Sequence, residues 1–276
     1  MVATAVQTLT LPLRRQRLVE SDDGYWVWRP EDTTEEWPAE QTALVLCDVW
    51  DRHTCRGAEE RLAKLLPRMQ QVVTTLRAAG ALIVHAPSDT MPFYEGTPAR
   101  QRALDVPAVE PPPTLEYVDP ALPVDASEPC DTAPDHDHPK HERGMPYPWT
   151  RQHSAISIDQ ERDVVSANGR ELYSLYRQRG IKHVLEMGVH TNMCILNRTF
   201  SIKQMVRWGM DIALVRDLTD AMYNPANPPY VSHEDGTRLV VEYVEKYASL
   251  VKRLGGVDLP AAKGTILSDE VLAACR

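Results

Sequence analysis

The chain has 276 residues, of which 43% are hydrophobic and 25% are charged, and this ordinary composition excludes collagen-like, coiled-coil and disordered proteins. The formal net charge is −9, and no run of lysine and arginine could neutralise a row of phosphates. We therefore expect a folded protein that does not bind nucleic acid.

The N-terminal residues and the cysteine pattern indicate where in the cell the protein is expected. The first 13 residues are uncharged and precede Arg14 and Arg15, which reverses the charge order of a signal peptide, and no segment is long and apolar enough to span a membrane. An odd number of irregularly spaced cysteines argues against a disulfide framework and for a reducing compartment; they are Cys47, Cys55, Cys130, Cys194 and Cys275. These features predict a cytoplasmic protein without a membrane partner.

Residues 1–40 contain a single apolar cluster, residues 25–28 (YWVW). We expect an extended N-terminal arm that wraps the domain or a neighbouring copy, which favours a homo-oligomer. Residues 41–276 are predicted to form one domain. Its first elements are a continuous apolar strand at residues 42–48, a helix at residues 57–79 that stops at Gly80, and a strand at residues 81–86.

The alternation of strands and helices resumes after residue 160. Strands are predicted at residues 163–165, 182–187 and 211–216, and helices at residues 171–179, 192–208 and 234–251. Such alternation implies a three-layer α/β/α fold around a central parallel sheet. Between the two halves, residues 90–150 form a predicted insertion, because eleven of the 22 prolines lie within residues 107–148. Long irregular connections of this kind tend to cover active sites.

Two residues at predicted strand ends could carry chemistry. Cys194 follows a buried strand, Gly188 and a polar turn, and it lies in the first turn of a predicted helix, where backbone N–H groups and the helix dipole lower a thiol's pKa. Asp48 ends the first strand and would lie at the same sheet edge, where ligands bind in α/β proteins. A carboxylate there could move the thiol proton. The alternatives are a buried structural cysteine and an acid satisfied by the next turn.

These segments resemble the isochorismatase-like cysteine hydrolases, which include nicotinamidases and N-carbamoylsarcosine amidohydrolases. The resemblance lies in the apolar strand ending in Asp48 and in residues 188–194 (GVHTNMC), and it covers residues 42–88 and 156–222. It implies the three-layer fold, Cys194 as nucleophile and Asp48 as acid/base. It also implies an oxyanion hole from the backbone N–H groups of His190 and Cys194, and a cis peptide bond between Val189 and His190.

The sequence departs from the family at several positions. The family's lysine is missing from residues 166–171 (SANGRE), and the nicotinamidase metal signature is missing from residues 86–91, so nicotinamide is not the expected substrate. Trp50 stands where many relatives have glutamine, and we expect Trp50, His190 and Asn192 to contact the substrate. A cation must replace the lysine, because a buried thiolate and carboxylate would repel each other. His53 is the chosen replacement and third catalytic residue; the competitors are Arg162, Arg170 and Arg198.

Two histidine groups leave alternatives open. Asp51, His53 and Cys55 could share one side of an extended segment and bind zinc, or His53 could simply bond a nearby carbonyl. Residues 130–141, with several histidines, are better explained as a solvated loop. We expect no metal and no organic cofactor.

The predicted function is hydrolysis of a C–N bond in a small amide, ureido or carbamoyl compound, through a thioester on Cys194. One alternative is non-acyl chemistry on the same fold, such as vinyl-ether hydrolysis, which does not need the thiol. The other is a catalytically silent binding or assembly protein, as the missing lysine would suggest.

Overall fold

The computed structural model describes residues 7–142 and 144–276. Its centre is one sheet of eight strands in the order β2-β1-β8-β7-β6-β3-β4-β5. The six strands from β3 to β8 run parallel, and β1 runs antiparallel to both of its neighbours. The strands are β1 (Thr8–Glu20), β2 (Trp26–Pro38), β3 (Thr42–Cys47), β4 (Leu82–Ala86), β5 (Val164–Val165), β6 (His183–Val189), β7 (Asp211–Asp220) and β8 (Ala262–Ile266).

Helices cover both faces of this sheet. They are α1 (Arg56–Ala79), α2 (Pro98–Leu104), α3 (Gly169–Arg179), α4 (Cys194–Asn197), α5 (Ile202–Arg207), α6 (His233–Arg253) and α7 (Ser268–Ala274). Strand β3 shows why there are three layers. Ala43 and Val45 pack in the core beneath α3, α5 and α6, whereas Leu44 and Leu46 pack in the core beneath α1 and α7. The predicted α/β/α fold with a central parallel sheet is confirmed.

The predicted N-terminal arm differs from the structure. Its described part forms the hairpin of β1 and β2, which is paired along its full length and meets β8 through Arg14 and Thr265. Leu9, Leu11 and Leu13 alternate with more exposed residues and are buried. That period-2 pattern is the signal of a half-buried strand, which the sequence interpretation missed. Residues 1–6 of the arm lie outside the described residues.

The insertion starts with helix and then becomes irregular. A 3-10 turn at Met91–Tyr94 and helix α2 come first; from residue 105 to β5, the described residues include no further helix or strand. Asp119 contacts Lys203 and Arg207. At the other end of the insertion, Gln152 bridges to Trp50, directly after β3. The irregular segment is therefore attached both to α5 and to the carboxyl end of the sheet.

A disulfide also fastens the insertion, contrary to the expectation from the cysteine pattern. Cys55, just before α1, is bonded to Cys130, although 75 positions separate the two residues. Cys47, Cys194 and Cys275 keep free thiols. The sequence could not reveal this pair, because its members come from segments that only the fold brings together. Among the described residues, no helix is long and apolar enough to cross a membrane.

Candidate active site

The structure brings Asp48 and Cys194 together at the carboxyl edge of the sheet. Asp48 follows β3 with a positive φ of 49°, and Cys194 begins α4 after the turn that follows β6. Strands β3 and β6 are adjacent and parallel, so the segments that leave them meet at one edge. Together with burial, the Asp48 charge raises the pKa of the Cys194 thiol. The cis peptide bond expected between Val189 and His190 is present.

Asp48 is completely buried, and both of its carboxylate oxygens have partners. Oδ1 accepts the backbone N–H of Ser88 at 2.7 Å, and Oδ2 accepts Nε–H of Arg198 at 2.9 Å. Burial raises the pKa of Asp48, while the Arg198 charge and the hydrogen bonds act in the opposite direction. A buried carboxylate with a single adjacent cation is suited to exchange a proton with a neighbouring thiol.

Arg198 supplies the cation that was expected from His53. Its guanidinium pairs with Asp48 and also with Asp89, at 3.2 Å between Nη2 and Oδ2. The other two competitors lie elsewhere, because Arg162 pairs with Asp159 and Arg170 pairs with the exposed Glu110. Arg198 stands four positions after Cys194, one helical turn further on.

A break in the predicted helix places Arg198. We expected one helix over residues 192–208, but α4 ends at Asn197 and α5 begins at Ile202. The backbone of Arg198 is extended, with ψ 153°, and its N–H bonds to the Cys194 carbonyl. The arginine therefore lies at the edge of the site instead of in a continuous helix.

The thiol pKa differs from the prediction made from the helix start. Burial, followed by the Asp48 charge, raises the pKa of Cys194 to about 12, against the lowering effects of Arg198 and of the His190 backbone N–H. A four-residue helix provides little dipole, since the effect needs aligned peptide units. A group with this pKa is a thiol at neutral pH, so it would need a base in order to act as a nucleophile.

The expectation that His53 pairs with Asp48 is corrected by the geometry. Its Nδ1 accepts the backbone N–H of Cys55 at 3.0 Å, and its Nε2 lies 3.3 Å from Nε2 of His190. Burial lowers the pKa of His53 to about 4. The ring is therefore neutral at pH 7 and supplies no positive charge to the carboxylate, whose cation is Arg198.

Two residues predicted to contact substrate have other partners. Trp50 is buried, stacks on Trp149 at 4.1 Å between ring centroids, and donates from Nε1 to the Ser88 carbonyl at 3.0 Å. The Asn192 amide is paired in both directions with the Met222 backbone, at 2.9 Å in each case. Their polar groups are thus engaged in holding the loops around the site.

The possible metal ligands do not converge. Asp51 accepts hydrogen bonds from the Thr150 and Arg151 backbones, and Cys55 is in the disulfide. Within the described residues, the one cluster with metal-ligand spacing is Cys55, Cys130 and Asp131, but Asp131 is bound by Arg61 in a bidentate pair. The donor atoms around His53 are therefore occupied by protein contacts and do not fit a zinc ion.

A cavity of about 480 Å³ opens beside Arg198. It is lined by the segments after β4, β5 and α4, including Ser88, Asp89, Asn168, Asn197, Arg198 and Thr199. Ala167, Asn168 and Glu171, from the segment in which a lysine was sought, border this space. The cavity is large enough for a small-molecule substrate.

Comparison with known proteins gives only distant likenesses. No protein-family model and no curated protein matches the chain. A cysteine hydrolase from Pseudomonas syringae pv. phaseolicola 1448A is similar in structure, with 16% identity, a TM-score of 0.48, and coverage of 87% of this chain and 95% of that one.

Two further solved structures are similar at the same distant level. An isochorismatase family protein from Burkholderia thailandensis has 14% identity, a TM-score of 0.43, and coverage of 86% of this chain and 96% of that one. A nicotinamidase pyrazinamidase from Acinetobacter baumanii has 14% identity, a TM-score of 0.40, and coverage of 84% and 98%. At these values the function has to be argued from the site itself.

Proposed function

We propose that the protein is an isochorismatase-like cysteine hydrolase that opens a C–N bond in a small amide, ureido or carbamoyl compound. The observation that carries the proposal is the group of the buried Asp48 with the partly exposed Cys194 and Arg198 at the carboxyl edge of the sheet. This group offers a nucleophile, a base and a cation, of which the base and the cation are hydrogen-bonded to each other and both affect the pKa of the thiol. It is the arrangement that covalent acyl transfer requires.

In the first half of the proposed reaction, Asp48 takes the proton from the Cys194 thiol as Sγ attacks the substrate carbonyl. Against the effect of burial, the Arg198 charge lowers the pKa of Asp48, and it thereby favours the carboxylate that accepts this proton. The oxyanion of the tetrahedral intermediate accepts hydrogen bonds from the backbone N–H groups of His190 and Cys194. Asp48 then protonates the leaving nitrogen, and a thioester remains on Cys194.

The second half regenerates the enzyme. A water molecule attacks the thioester carbonyl while Asp48 accepts one of its protons, and the same oxyanion site stabilises the second intermediate. Collapse of this intermediate releases the carboxylic or carbamic acid, and the proton returns to the sulfur of Cys194. The cavity beside Arg198 is the proposed substrate space, since Arg198 and Ser88, the two partners of the Asp48 carboxylate, line it.

The test is ammonia or amine release from a panel of small primary amides, ureido acids and N-carbamoyl compounds. We expect turnover with one of these classes, a covalent adduct on Cys194 in acid-quenched samples analysed by mass spectrometry, and loss of turnover by at least about 10³-fold in Cys194→Ser. Cys275→Ser is the matched control, because this thiol is also free and partly buried. Turnover that survives in Cys194→Ser would support non-acyl chemistry, and inactivity on every class would support the silent binding protein.

Location and assembly stay predictions. We propose a cytoplasmic homo-oligomer whose partner is its small-molecule substrate; the exposed Tyr25 and Trp26 at the tip of the β1–β2 hairpin support self-association. The Cys55–Cys130 disulfide argues against a cytoplasmic location, because disulfide bonds are rare in the cytoplasm. Light scattering of a Trp26→Ser variant tests the oligomer, and thiol counting of protein from cell fractions tests the location.

A further inference from the structure

A pair of histidines beside the site has no part in the proposed proton transfers. His190 follows β6 and is buried, and His53 lies partly buried in the turn between β3 and α1. Their Nε2 atoms are 3.3 Å apart, and the two rings meet edge to face with centroids 4.9 Å apart. Two imidazoles can share a hydrogen bond only if one donates and the other accepts.

The neighbours of the other two ring nitrogens decide which histidine donates. Nδ1 of His190 is 3.2 Å from the carbonyl oxygen of Asp220, which can only accept, so this nitrogen carries the proton. Nδ1 of His53 accepts the backbone N–H of Cys55, so its proton is on Nε2. The one consistent arrangement is a hydrogen bond donated by His53 Nε2–H to Nε2 of His190.

Electrostatics agrees with this assignment. Burial lowers the pKa of His53 to about 4 and that of His190 to about 3. Both rings are therefore neutral at pH 7, as a donor–acceptor pair of imidazoles requires. Turning the His190 ring away would leave a buried nitrogen without a partner, which is unfavourable.

We propose that His53 is a positioning residue, which holds the His190 side chain and thereby the His190 backbone N–H at the sulfur of Cys194. This inference rests on the proposed function, in which that N–H binds the oxyanion. The ring of His190 is held at both ends, by the Asp220 carbonyl and by His53, so its backbone cannot drift without breaking one of these bonds. The backbone of His190 is also tied to the Cys194 turn, because its carbonyl accepts the N–H groups of Met193 and Ile195.

The predicted insertion, residues 90–150, contacts His53 and the segment that follows it. The ring of Trp149 lies against it, with centroids 5.9 Å apart, and the backbone N–H of His53 donates to Glu59 at 2.9 Å. Cys55, whose N–H fixes the tautomer of His53, is joined to Cys130 of the insertion. The irregular segment is therefore connected to the proposed oxyanion site through a short series of contacts.

Two substitutions of His53 separate positioning from acid/base catalysis. His53→Phe keeps a ring of similar size but removes the donor, and we expect kcat to fall by about 10- to 100-fold with KM changed less than threefold, since a misplaced oxyanion donor acts mainly in the transition state. His53→Gln keeps an N–H donor at the position of Nε2 and should retain kcat within about fivefold. His183→Phe, at the opposite end of β6, is the control and should leave kcat unchanged.

Three outcomes would overturn the proposal: normal kcat in His53→Phe, equal inactivity of the Phe and Gln variants, or a fall in kcat in His183→Phe as large as in His53→Phe. Nitrogen-15 NMR of the wild-type protein tests the tautomer assignment without a variant that must fold and without a known substrate. It should show the proton on Nδ1 of His190 and on Nε2 of His53, and the opposite tautomers would refute the assignment. Full turnover in Cys194→Ser would instead refute the proposed function while leaving the NMR result intact.

Discussion

Replacing Arg198 by methionine removes the charge beside Asp48 while keeping an unbranched side chain of comparable reach. The Arg198 side chain is 30% exposed and that of Asp48 is 0% exposed, with 2.9 Å between Nε and Oδ2. Breaking a fully buried pair costs about 3–5 kcal/mol, whereas an exposed pair contributes about 0–1 kcal/mol. For this half-open geometry we expect Arg198→Met to lower the free energy of unfolding at pH 8 by about 2–3 kcal/mol.

The loss should depend on pH, because Asp48 can become neutral. Without Arg198, the pKa of the folded-state carboxyl rises further above its unfolded value, so the folded state binds the proton more tightly. The difference in stability between variant and wild type should therefore be small below pH 4 and should grow as pH rises through the folded-state pKa. A protonated Asp48 cannot accept the thiol proton, so we expect turnover at pH 7 to fall by at least about 10²-fold.

Urea unfolding at pH 4, 6 and 8 measures the stability, and Arg170→Met is the matched control. Arg170 forms an exposed pair with Glu110, so its loss should change the free energy of unfolding by less than about 0.5 kcal/mol at any of these pH values. Arg198→Lys should recover part of the turnover, because it restores the charge. Equal stability of Arg198→Met and wild type at pH 8, together with normal turnover, would refute the assigned role of the ion pair.

Three other measurements probe the site and its surroundings. Asp48→Asn should lower turnover by at least about 10²-fold, because the base is lost. Alkylation of Cys194 by iodoacetamide at pH 9 should become faster, because the charge that raises the thiol pKa is gone, and slower alkylation would contradict this. His233 lies between two carboxylates that raise its pKa to about 9, so the stability it contributes is complete below pH 6.5 and is lost as pH rises through 9, by at most about 3 kcal/mol. Denaturant titrations should show this decline in the wild type, and an equal decline in His233→Gln would exclude His233 as its source. Gly188→Ala should prevent folding, because a Cβ at this residue, whose φ is 130°, would lie 2.0 Å from the Cys47 carbonyl oxygen. Gly209→Ala is the control: φ is 74° and nothing lies within 4 Å of the added Cβ, so thermal unfolding should show a loss of only about 1–2 kcal/mol. Similar losses in both variants would be inconsistent with a steric origin.

The sequence predicted the architecture because its strands are short, continuous apolar runs separated by amphipathic helices. Strand β3 is buried at every position, which is what a central strand between two helical layers requires. The same logic placed Asp48 and Cys194 at one edge of the sheet, since parallel strands end together. The hairpin of β1 and β2 was missed because the alternation of Leu9, Leu11 and Leu13 is short and ends at Arg14 and Arg15.

The sequence alone therefore determined the parallel strands β3 to β7, their alternation with helices, and the position of Asp48 and Cys194 at one sheet edge. These follow from local periodicity and from where the strands end, whereas β1, β2 and β8 were not predicted. Only the tertiary structure decided which cation pairs with Asp48. The helix that begins at Cys194 ends at Asn197, which the apolar pattern does not indicate, and the extended backbone of Arg198 brings its side chain to Asp48. The same holds for the thiol pKa and for the disulfide between Cys55 and Cys130. Desolvation, ion pairing and cross-links depend on which distant segments meet, and hydrophobic periodicity carries no information about that.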